Sequence, residues 1–301
     1  MKSYTSRKGI ILAGGYGKRL FPLTKAISKQ LMPIYDKPMI YYPLSILMLS
    51  GIKEFLIISN PENQEIFKQL LGDGKRWGIK INYVKQIKPD GIAQSLLIGE
   101  SFIDSHPVAI ALGDNLFHGQ NLLSLLKKAN SRKNGATIFV YPVKDPEKYG
   151  IVQFDKDKKV LSLQEKPINP LSQYAITGLY FYDNTASDKA KNLTFSARGE
   201  LEITSLNQMY LDEGNLNVEI MGRGMAWLDT GSFDALQEAG NYVKTLENRQ
   251  GLKIGSPEEV SWRKGWINDE QLEKLAQPLI PSGYGQYLLE LINKKNKEKG
   301  S

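Results

Sequence analysis

The first half of the 301-residue chain alternates short apolar runs with helical patterns. The apolar runs occupy residues 9–12, 55–58, 79–84 and 108–112, and helical patterns occupy residues 39–50, 62–71 and 92–102. Unbroken apolar strands are expected where both faces of a sheet are buried, and this spacing is typical of βαβ units. The pattern therefore predicts an α/β fold in which helices cover both faces of a parallel sheet.

The remainder of the chain predicts additions to that sheet. A helix over residues 120–129 precedes strands at 136–143, 150–154, 160–164 and 174–182, which predict an antiparallel excursion and hence a mixed sheet. Two helices (186–192 and 203–211), two strands (216–220 and 226–228) and further helices (233–246 and 271–276) follow, while residues 247–266 have no clear period. We expect a core over residues 1–235, a C-terminal helical region for subunit contact and regulation over 236–292, and a disordered basic tail over 293–301.

Residue usage narrows the chemistry. The chain has no cysteine and only two histidines, His106 and His118, which excludes thiolate catalysis and disfavours a histidine metal site. Catalysis must then use carboxylates, lysines, arginines and backbone amides.

Charge and hydropathy limit the partners. The net charge is +7, of which the last residues contribute +3, and the remaining lysines are interspersed with acids rather than with aromatic residues. The chain has no long basic run interleaved with aromatic residues, and a small anionic substrate explains the charge equally well. We therefore expect no nucleic-acid partner. The chain has no long apolar stretch and its first residues lack the apolar core of a secretion signal, which predicts a cytoplasmic protein without a membrane partner.

A glycine-rich, basic segment follows the first predicted strand. Residues 9–19 read GIILAGGYGKR, and glycines let backbone amides approach an anion while a guanidinium holds phosphate oxygens. The Walker pattern fails because Lys18 is not set in G-x-x-x-x-G-K-[ST], and the dinucleotide fingerprint fails because Leu20 replaces its third glycine. The segment predicts a phosphate site, with a simple tight turn as the alternative.

Two acids follow predicted strands, where parallel sheets bind ligands: Asp114 and Asp229. Carboxylates from separate loops, supplemented by substrate phosphates, suit Mg²⁺. Each acid has an alternative as a turn residue or helix cap. Glu165 and Lys166 follow another predicted strand. The acid could accept a hydrogen bond from a hydroxyl and the lysine could clamp a phosphate, with an ion pair at the sheet edge as the alternative. Lys29 is a further candidate cation, with a solvated surface position as its alternative.

Together these segments resemble the glucose-1-phosphate thymidylyltransferases, the short bacterial type within the nucleotidyl-transferring sugar-phosphate enzymes. The resemblance covers residues 8–292. It is carried by segments at 12–15 (LAGG), 19–20 (RL), 28–30 (SKQ), 35–44 (YDKPMIYYPL), 89–94 (PDGIAQ), 112–115 (LGDN), 165–167 (EKP), 174–182 (YAITGLYFY), 198–204 (RGELEIT), 227–231 (WLDTG) and 246–251 (LENRQG). It implies a Rossmann-like nucleotidyltransferase fold with a mixed, mostly parallel sheet and a C-terminal helical region.

The resemblance also implies residue roles. Nucleotide-binding positions would be Leu12, Gly14, Gly15, Gly17, Arg19, Lys29, Gln30, Gln86, Pro89, Asp90, Gly91 and Asp114. Sugar-phosphate positions would be Asn115, Gly150, Glu165, Lys166, Ile176, Thr177 and Gly178. Catalysis would rest on Arg19, Lys29, Asp114, Lys166 and Asp229, of which the two aspartates would hold Mg²⁺. Tyr16 and Lys18 stand where the family often has serine and threonine.

The implied reaction joins dTTP and glucose 1-phosphate into dTDP-glucose and pyrophosphate by in-line attack, as the first step of dTDP-L-rhamnose biosynthesis. The family forms homotetramers and is inhibited by dTDP-rhamnose at a second site, which would fall at Gly119, Lys253, Ile254 and Arg263, near Trp262 and Trp266. The alternative is that these aromatic residues only pack the C-terminal helices.

Two rival functions remain. An inactive binding or regulatory subunit with the same fold would be expected to lack phosphate or metal groups, whereas all five catalytic candidates are present. A nicotinamide-dependent reductase conflicts with the broken dinucleotide fingerprint.

Overall fold

The computed structural model describes residues 6–299, with the side chains of residues 298 and 299 excepted. The strands are β1 (Lys8–Ala13), β2 (Pro33–Ile34), β3 (Lys37–Pro38), β4 (Glu54–Ser59), β5 (Lys80–Lys85), β6 (Val108–Leu112), β7 (Asn115–Gly119), β8 (Ala136–Pro142), β9 (Gly150–Phe154), β10 (Val160–Glu165), β11 (Tyr174–Tyr182), β12 (Leu216–Ile220) and β13 (Met225–Asp229). The helices are α1 (Tyr41–Leu49), α2 (Gln64–Leu71), α3 (Gln94–Ile98), α4 (Glu100–Ile103), α5 (Leu122–Ser131), α6 (Ala186–Lys191), α7 (Ile203–Asp212), α8 (Phe233–Gln250), α9 (Pro257–Arg263), α10 (Asp269–Ala276) and α11 (Tyr284–Lys299).

One mixed sheet organises the described part of the chain. Its strands run in the order β10-β9-β11-β6-β1-β4-β5, and β8 joins β11 to β12. The pairs β6-β1, β1-β4 and β4-β5 are parallel, whereas β11 is antiparallel to β6, β8 and β9. The predicted α/β class with a mixed sheet is confirmed.

Each face of the sheet is covered by helices over an apolar core. Alternate residues of β1 show this, because Ile11 packs in one core with Phe55 and Trp77, and Ile10 packs in the other with Leu206. All five side chains are fully buried. The uninterrupted apolar strand pattern follows from burial on both faces.

The C-terminal helices form their own small core and are tied to the sheet domain by buried hydrogen bonds. Ile267, Leu272 and Leu288 lie in that core. Glu258 of α9 accepts hydrogen bonds from Trp77 Nε1 at 3.1 Å and from Tyr284 Oη at 2.6 Å. This region therefore has a fixed position against the sheet domain.

The structure corrects the sequence-based expectations at two helices. The pattern over residues 92–102 predicts one helix, but α3 and α4 are separate and meet at Gly99, where an added Cβ would lie 2.9 Å from the carbonyl oxygen of Ser95. Disorder was expected over residues 293–301, but α11 continues to Lys299, and residues 300 and 301 lie outside the described residues. Lys295 explains part of this order, because its ammonium donates to Asp269 at 2.6 Å and lies 5.0 Å from the Trp262 ring centroid.

In the part of the chain that the structure describes, no helix is both long and apolar enough to cross a membrane.

Candidate active site

The carboxyl ends of two neighbouring parallel strands begin the site. β1 ends at Ala13, directly before the glycine-rich loop, and β6 ends at Leu112, two residues before Asp114. Because β1 and β6 pair in parallel, both loops leave the same edge of the sheet. Ligands of open α/β sheets bind at such edges.

Asp114 and Asp229 are brought together by the pairing of β7 with β13, of which sequence patterning predicted only β13. β7 follows Asp114 immediately and pairs antiparallel with β13, so that Asn115 is opposite Asp229. Thr230 reinforces the junction because its hydroxyl donates to the Asp114 carbonyl at 2.8 Å. Asp114, in the turn between β6 and β7, and Asp229, the last residue of β13, thus lie at one location.

Asp114 is held in place from both of its carboxylate oxygens. Buried Lys29 donates to one oxygen, and the Asn115 amide nitrogen donates to the other at 2.9 Å. The amide oxygen of Asn115 in turn accepts from Trp227 Nε1 at 2.6 Å and from the Gly178 amide at 3.1 Å. Trp227 and Gly178 thus fix the Asn115 side chain, and its amide nitrogen orients the Asp114 carboxylate.

Asp229 is a perturbed acid. Burial raises the pKa of Asp229 to about 6, and the nearby Asp114 carboxylate adds to the rise, while Lys29, Arg19 and Lys166 oppose it. Loss of hydration and a like charge both disfavour the ionised form. A cation placed between the two carboxylates would relieve both effects.

Asp114 and Asp229 suit a divalent cation whose other ligands come from water and a substrate. Within residues 6–299 no group of three or more acids or histidines is positioned to hold a metal. Two carboxylates are nevertheless an adequate protein contribution for Mg²⁺, which retains waters and binds substrate phosphates. Asp114 and Asp229 fit that arrangement.

A cavity of about 480 Å³ opens beside the two acids. It gathers most of the predicted catalytic and sugar-phosphate residues from distant parts of the chain. The lining includes Arg19, Asp114, Asn115, Gly150, Glu165, Lys166, Ile176, Thr177, Gly178 and Asp229. Lys29 is buried behind Asp114 rather than in the lining, and its charge acts through that contact.

One wall of the cavity presents a fixed acid and a cation. Glu165 accepts from Arg198 at 2.9 Å and from the Thr204 hydroxyl, which orients its carboxylate. Lys166 follows with φ of 41°, a left-handed conformation that non-glycine residues rarely adopt, and its backbone amide donates to Tyr149 at 3.0 Å. Local strain of this kind is concentrated at functional sites.

The glycine-rich loop contributes Arg19 to the cavity lining. Gly17 has φ of 59°, and its carbonyl accepts from the Thr24 hydroxyl at 2.8 Å, so the chain can turn sharply before Arg19. The Arg19 guanidinium crosses Gly231, where an added Cβ would lie 2.5 Å from one of its terminal nitrogens. Gly231 thus gives the guanidinium room beside Asp229.

Of the predicted nucleotide residues, only Arg19 and Asp114 line the cavity. Gln86 lies against Gly14, and its amide nitrogen donates to Gln94 at 2.7 Å. Gln94 also accepts from the Asp90 backbone amide at 3.1 Å, which shapes the loop before Gly91. Gly91 has φ of 108° and its Cα abuts the backbone of Leu201.

The remaining predicted nucleotide residues have the following positions. Leu12 is the penultimate residue of β1, and Gly15 is exposed with open space around its Cα. Gln30 is buried, accepts from the Ser28 hydroxyl at 2.8 Å and lies behind the Asp114 loop. Pro89 precedes Asp90 in the loop that Gln94 organises.

Known proteins similar to this chain include those of one family model and several curated enzymes. The Nucleotidyl transferase family model matches residues 8–245. Glucose-1-phosphate thymidylyltransferase of Xanthomonas campestris is 56% identical over 290 residues, which cover 96% of this chain and 98% of that protein. The chain belongs to this family.

Further relatives support the assignment. The glucose-1-phosphate thymidylyltransferase of Mycobacterium tuberculosis is 54% identical over 95% of this chain and 99% of its own length. Among solved structures, a putative glucose-1-phosphate thymidylyltransferase from Bacillus anthracis in complex with a sucrose is 38% identical with a TM-score of 0.73, over 79% of this chain and 95% of that chain. A UDP-glucose pyrophosphorylase, 22% identical with a TM-score of 0.71 over 80% of this chain and 99% of that chain, shares the fold. Family membership establishes nucleotidyl transfer as the class of chemistry.

Several cavity residues were missed by sequence reasoning. They supply polar and aromatic surface to the sugar-phosphate side of the site: Lys148, Tyr149, Glu200, Glu202, Thr204 and Trp227. Four of these lie inside segments that carry the resemblance to the family, at 198–204 and 227–231. Lys148 and Tyr149 precede the predicted Gly150 and have no separate signal in the sequence.

A second cavity of about 420 Å³ lies near α9. Three of the four predicted regulatory residues line it, namely Lys253, Ile254 and Arg263. Gly119 does not, but it directly follows His118, which does. Trp262 and Trp266 lie outside this lining.

Proposed function

We propose that the chain transfers a thymidylyl group from dTTP to glucose 1-phosphate, forming dTDP-glucose and pyrophosphate. The observation that carries this proposal is the meeting of Asp114 and Asp229 with the charges of Arg19, Lys29 and Lys166 at one cavity. Such a site offers no cysteine or histidine nucleophile, and it concentrates the charges that two phosphate substrates require.

The attacking group needs no general base. A sugar phosphate has its second pKa at about 6, so at neutral pH its oxygen is already negative and can attack the α-phosphorus of dTTP directly. The bond from that oxygen to the α-phosphorus forms while the bond to pyrophosphate breaks. The protein must align the two phosphates and offset their mutual repulsion.

Each charged group has a defined part in this proposal. Lys166 positions the attacking phosphate, and Arg19 holds the departing pyrophosphate, with Lys29 supporting the charge balance behind Asp114. Asp114 and Asp229 would hold Mg²⁺. When bound, that ion supplies charge neutralisation at the α-phosphoryl group.

The two substrates divide the site between them. Gly150, Glu165 and residues 176–178 cradle the sugar phosphate, and Asn115 contributes by orienting Asp114. The nucleotide phosphates are approached by Leu12, Gly14, Gly15, Gly17 and Gln30. The thymine edge is received by Gln86 and residues 89–91. The contact of Gln86 with Gly14 supports this because it joins the base side to the phosphate side.

Replacing Gly14 with alanine should raise the KM for dTTP by about tenfold, the equivalent of ~1.4 kcal/mol. An alanine Cβ would lie 2.0 Å from Gln86 Oε1, so Gln86 must leave its position, whereas no sugar-phosphate residue is touched. Steady-state kinetics should show a nearly unchanged KM for glucose 1-phosphate. In a Gln86→Ala background the same change should cost little, and an equal cost in both backgrounds would contradict the steric explanation.

Base selection is tested by pyrophosphate release. With glucose 1-phosphate and Mg²⁺, kcat/KM should be highest for dTTP among dTTP, UTP, ATP, CTP and GTP. Some UTP use is expected because a methyl-sized difference is worth only about 1–3 kcal/mol. A UTP value equal to or above that for dTTP would reject the thymidylyl assignment, and activity without a divalent ion would reject the metal role.

The wider biological role follows from the family resemblance. We infer that the product feeds dTDP-L-rhamnose synthesis in the cytoplasm, that the chain forms a homotetramer through the region of residues 236–292, and that dTDP-rhamnose inhibits it at the second cavity. The presence of Lys253, Ile254 and Arg263 around that cavity supports the last point.

A further inference from the structure

The second cavity and the catalytic acids share a structural element. β7 begins at Asn115, beside Asp114, and His118 near its other end lines the second cavity. Three residues of strand span about 10 Å. The two cavities are therefore separated by little more than one short strand.

The second cavity is suited to an anion with an apolar part. Four cations line it, namely Lys127, Lys253, Arg263 and Lys264, against one acid, Glu259, which is paired with Arg263 at 2.7 Å. Apolar side chains complete the lining, among them Ile46, Leu49, Phe117 and Leu122. A nucleoside diphosphate sugar has this combination of charge and apolar surface.

One of those cations belongs to a cluster of four alternating charges, which we call the charge quartet: Asp36, Lys37, Glu247 and Lys253. Lys37 bonds to Asp36 and, at 2.9 Å, to Glu247. Lys253 bonds to the second oxygen of Asp36 and, at 2.7 Å, to the second oxygen of Glu247. Lys37 is 2% exposed and Glu247 5% exposed, so neither charge has water to replace a lost partner.

The charge quartet also includes residues of the hairpin β2-β3, which follows Lys29 in the chain. Asp36 lies in the turn of the hairpin β2-β3, and Lys37 begins β3, where it pairs with Ile34. Directly before this hairpin, the carbonyl of Lys29 accepts from the Met32 amide at 3.0 Å. Lys29 is one of the two residues that hold the Asp114 carboxylate, the other being Asn115.

A tyrosine provides a second connection between the cavity and the hairpin. Tyr42 lines the second cavity, and its hydroxyl donates to the carbonyl of Ile34 at 2.7 Å. The Lys37 ammonium lies 5.7 Å from the Tyr42 ring centroid. The hairpin is thus held from the side of the second cavity by both Tyr42 and the charge quartet.

We propose that an anionic ligand in the second cavity competes with Asp36 and Glu247 for the ammonium of Lys253, and that the charge quartet passes this change through the hairpin to Lys29. The inference rests on the proposed regulatory function, for which it supplies the route. When Lys253 turns to the ligand, Asp36 and Glu247 keep only Lys37 as counter-ion, so the hairpin has a second arrangement available. Binding at the second cavity then disturbs the group that orients Asp114.

The test removes the hairpin's link to Lys253 without removing any cation from the cavity. Asp36→Asn keeps the side-chain shape and is made at a partly exposed position. The kcat with dTTP and glucose 1-phosphate is measured with and without saturating dTDP-rhamnose, and effector binding is measured by calorimetry. Wild-type kcat should fall by about fivefold or more, as is typical of allosteric coupling, whereas the variant should bind the effector and keep most of its turnover.

A second variant and a control complete the experiment. Glu247→Gln should uncouple inhibition in the same way, and Glu238→Gln, an exposed position on the same helix α8, should behave as the wild type. If Glu247→Gln fails to fold, as a thermal melt would show, Asp36→Asn alone decides.

Three outcomes overturn the inference. Full inhibition of Asp36→Asn at saturating effector would show that the signal takes another route, and would leave the regulatory function standing. Loss of effector binding in that variant would show that the charge quartet builds the cavity instead of transmitting its occupancy. Absence of effector binding in the wild type would remove the regulatory function, and the route with it.

Discussion

Replacing Asp229 with asparagine should lower kcat by about 10²-fold or more, the cost typical of losing a group that stabilises transition-state charge. The same variant should be more stable than the wild type in metal-free buffer near pH 7.5. Burial and Asp114 raise the pKa of Asp229 from 3.8 to about 6, so the ionised side chain is less stable in the folded than in the unfolded chain. Asparagine keeps the size and removes that cost.

The sign of the pH dependence follows from the raised pKa. The folded chain holds the Asp229 proton more tightly, so this residue lowers the free energy of unfolding as the pH rises from about 4 to about 6. The effect is on the order of 1–3 kcal/mol, which corresponds to an increase of a few degrees in Tm for Asp229→Asn above that window.

Thermal melts in EDTA and turnover with Mg²⁺ measure the two effects on the same preparations. Asp157→Asn, at an exposed turn, is the matched control and should change neither quantity. Near-normal turnover of Asp229→Asn would contradict the assigned role. A lower Tm in EDTA would contradict the electrostatic cost.

Replacing Arg19 with alanine should also lower kcat by about 10²-fold or more, with the fold retained. Arg19 is exposed, lines the cavity and crosses the backbone at Gly231, so it supports no core packing. Arg19→Lys should recover only part of the loss, because an ammonium cannot hold two phosphate oxygens in the planar fork of a guanidinium.

The reverse reaction isolates the proposed contact. Arg19→Ala should raise the KM for pyrophosphate when dTDP-glucose is cleaved, while the KM for dTDP-glucose changes less. Lys18→Ala is the neighbouring control, because the Lys18 ammonium lies 5.8 Å from the Tyr16 ring centroid and does not line the cavity. Equal effects of the two substitutions would show that only the charge of the loop matters.

Sequence periodicity predicts the parallel half of the sheet well because those strands are apolar on both faces and are separated by regular helices. It fails where tertiary contacts decide the structure. β7 begins with Asn115 and includes His118, so it lacks a continuous apolar run, and its partner β13 lies more than 100 residues away. α11 extends to Lys299 because contacts such as the Lys295–Asp269 bond fix a segment whose composition suggests disorder.

The candidate site shows the same division. Asp114 is predictable because it follows β6 at the edge where ligands bind, whereas Asp229 ends β13 of the separate two-stranded sheet and reaches Asp114 only through the pairing of β13 with β7. The orientation of Asn115 is not predictable, because it depends on Trp227 and Gly178, which come from strands far along the chain. The charge quartet cannot be predicted from the sequence either, because Lys37 and Lys253 link Asp36 to Glu247 only in the folded chain.

The most direct test of the central claim follows oxygen through one round of reaction. Glucose 1-phosphate labelled with ¹⁸O on its phosphate oxygens is incubated with dTTP, Mg²⁺ and the protein, and the masses of the products are measured by mass spectrometry. If the sugar phosphate attacks the α-phosphorus, the label is found entirely in dTDP-glucose, and pyrophosphate is released unlabelled in equal amount. Labelled pyrophosphate, or no dTDP-glucose, would contradict the account.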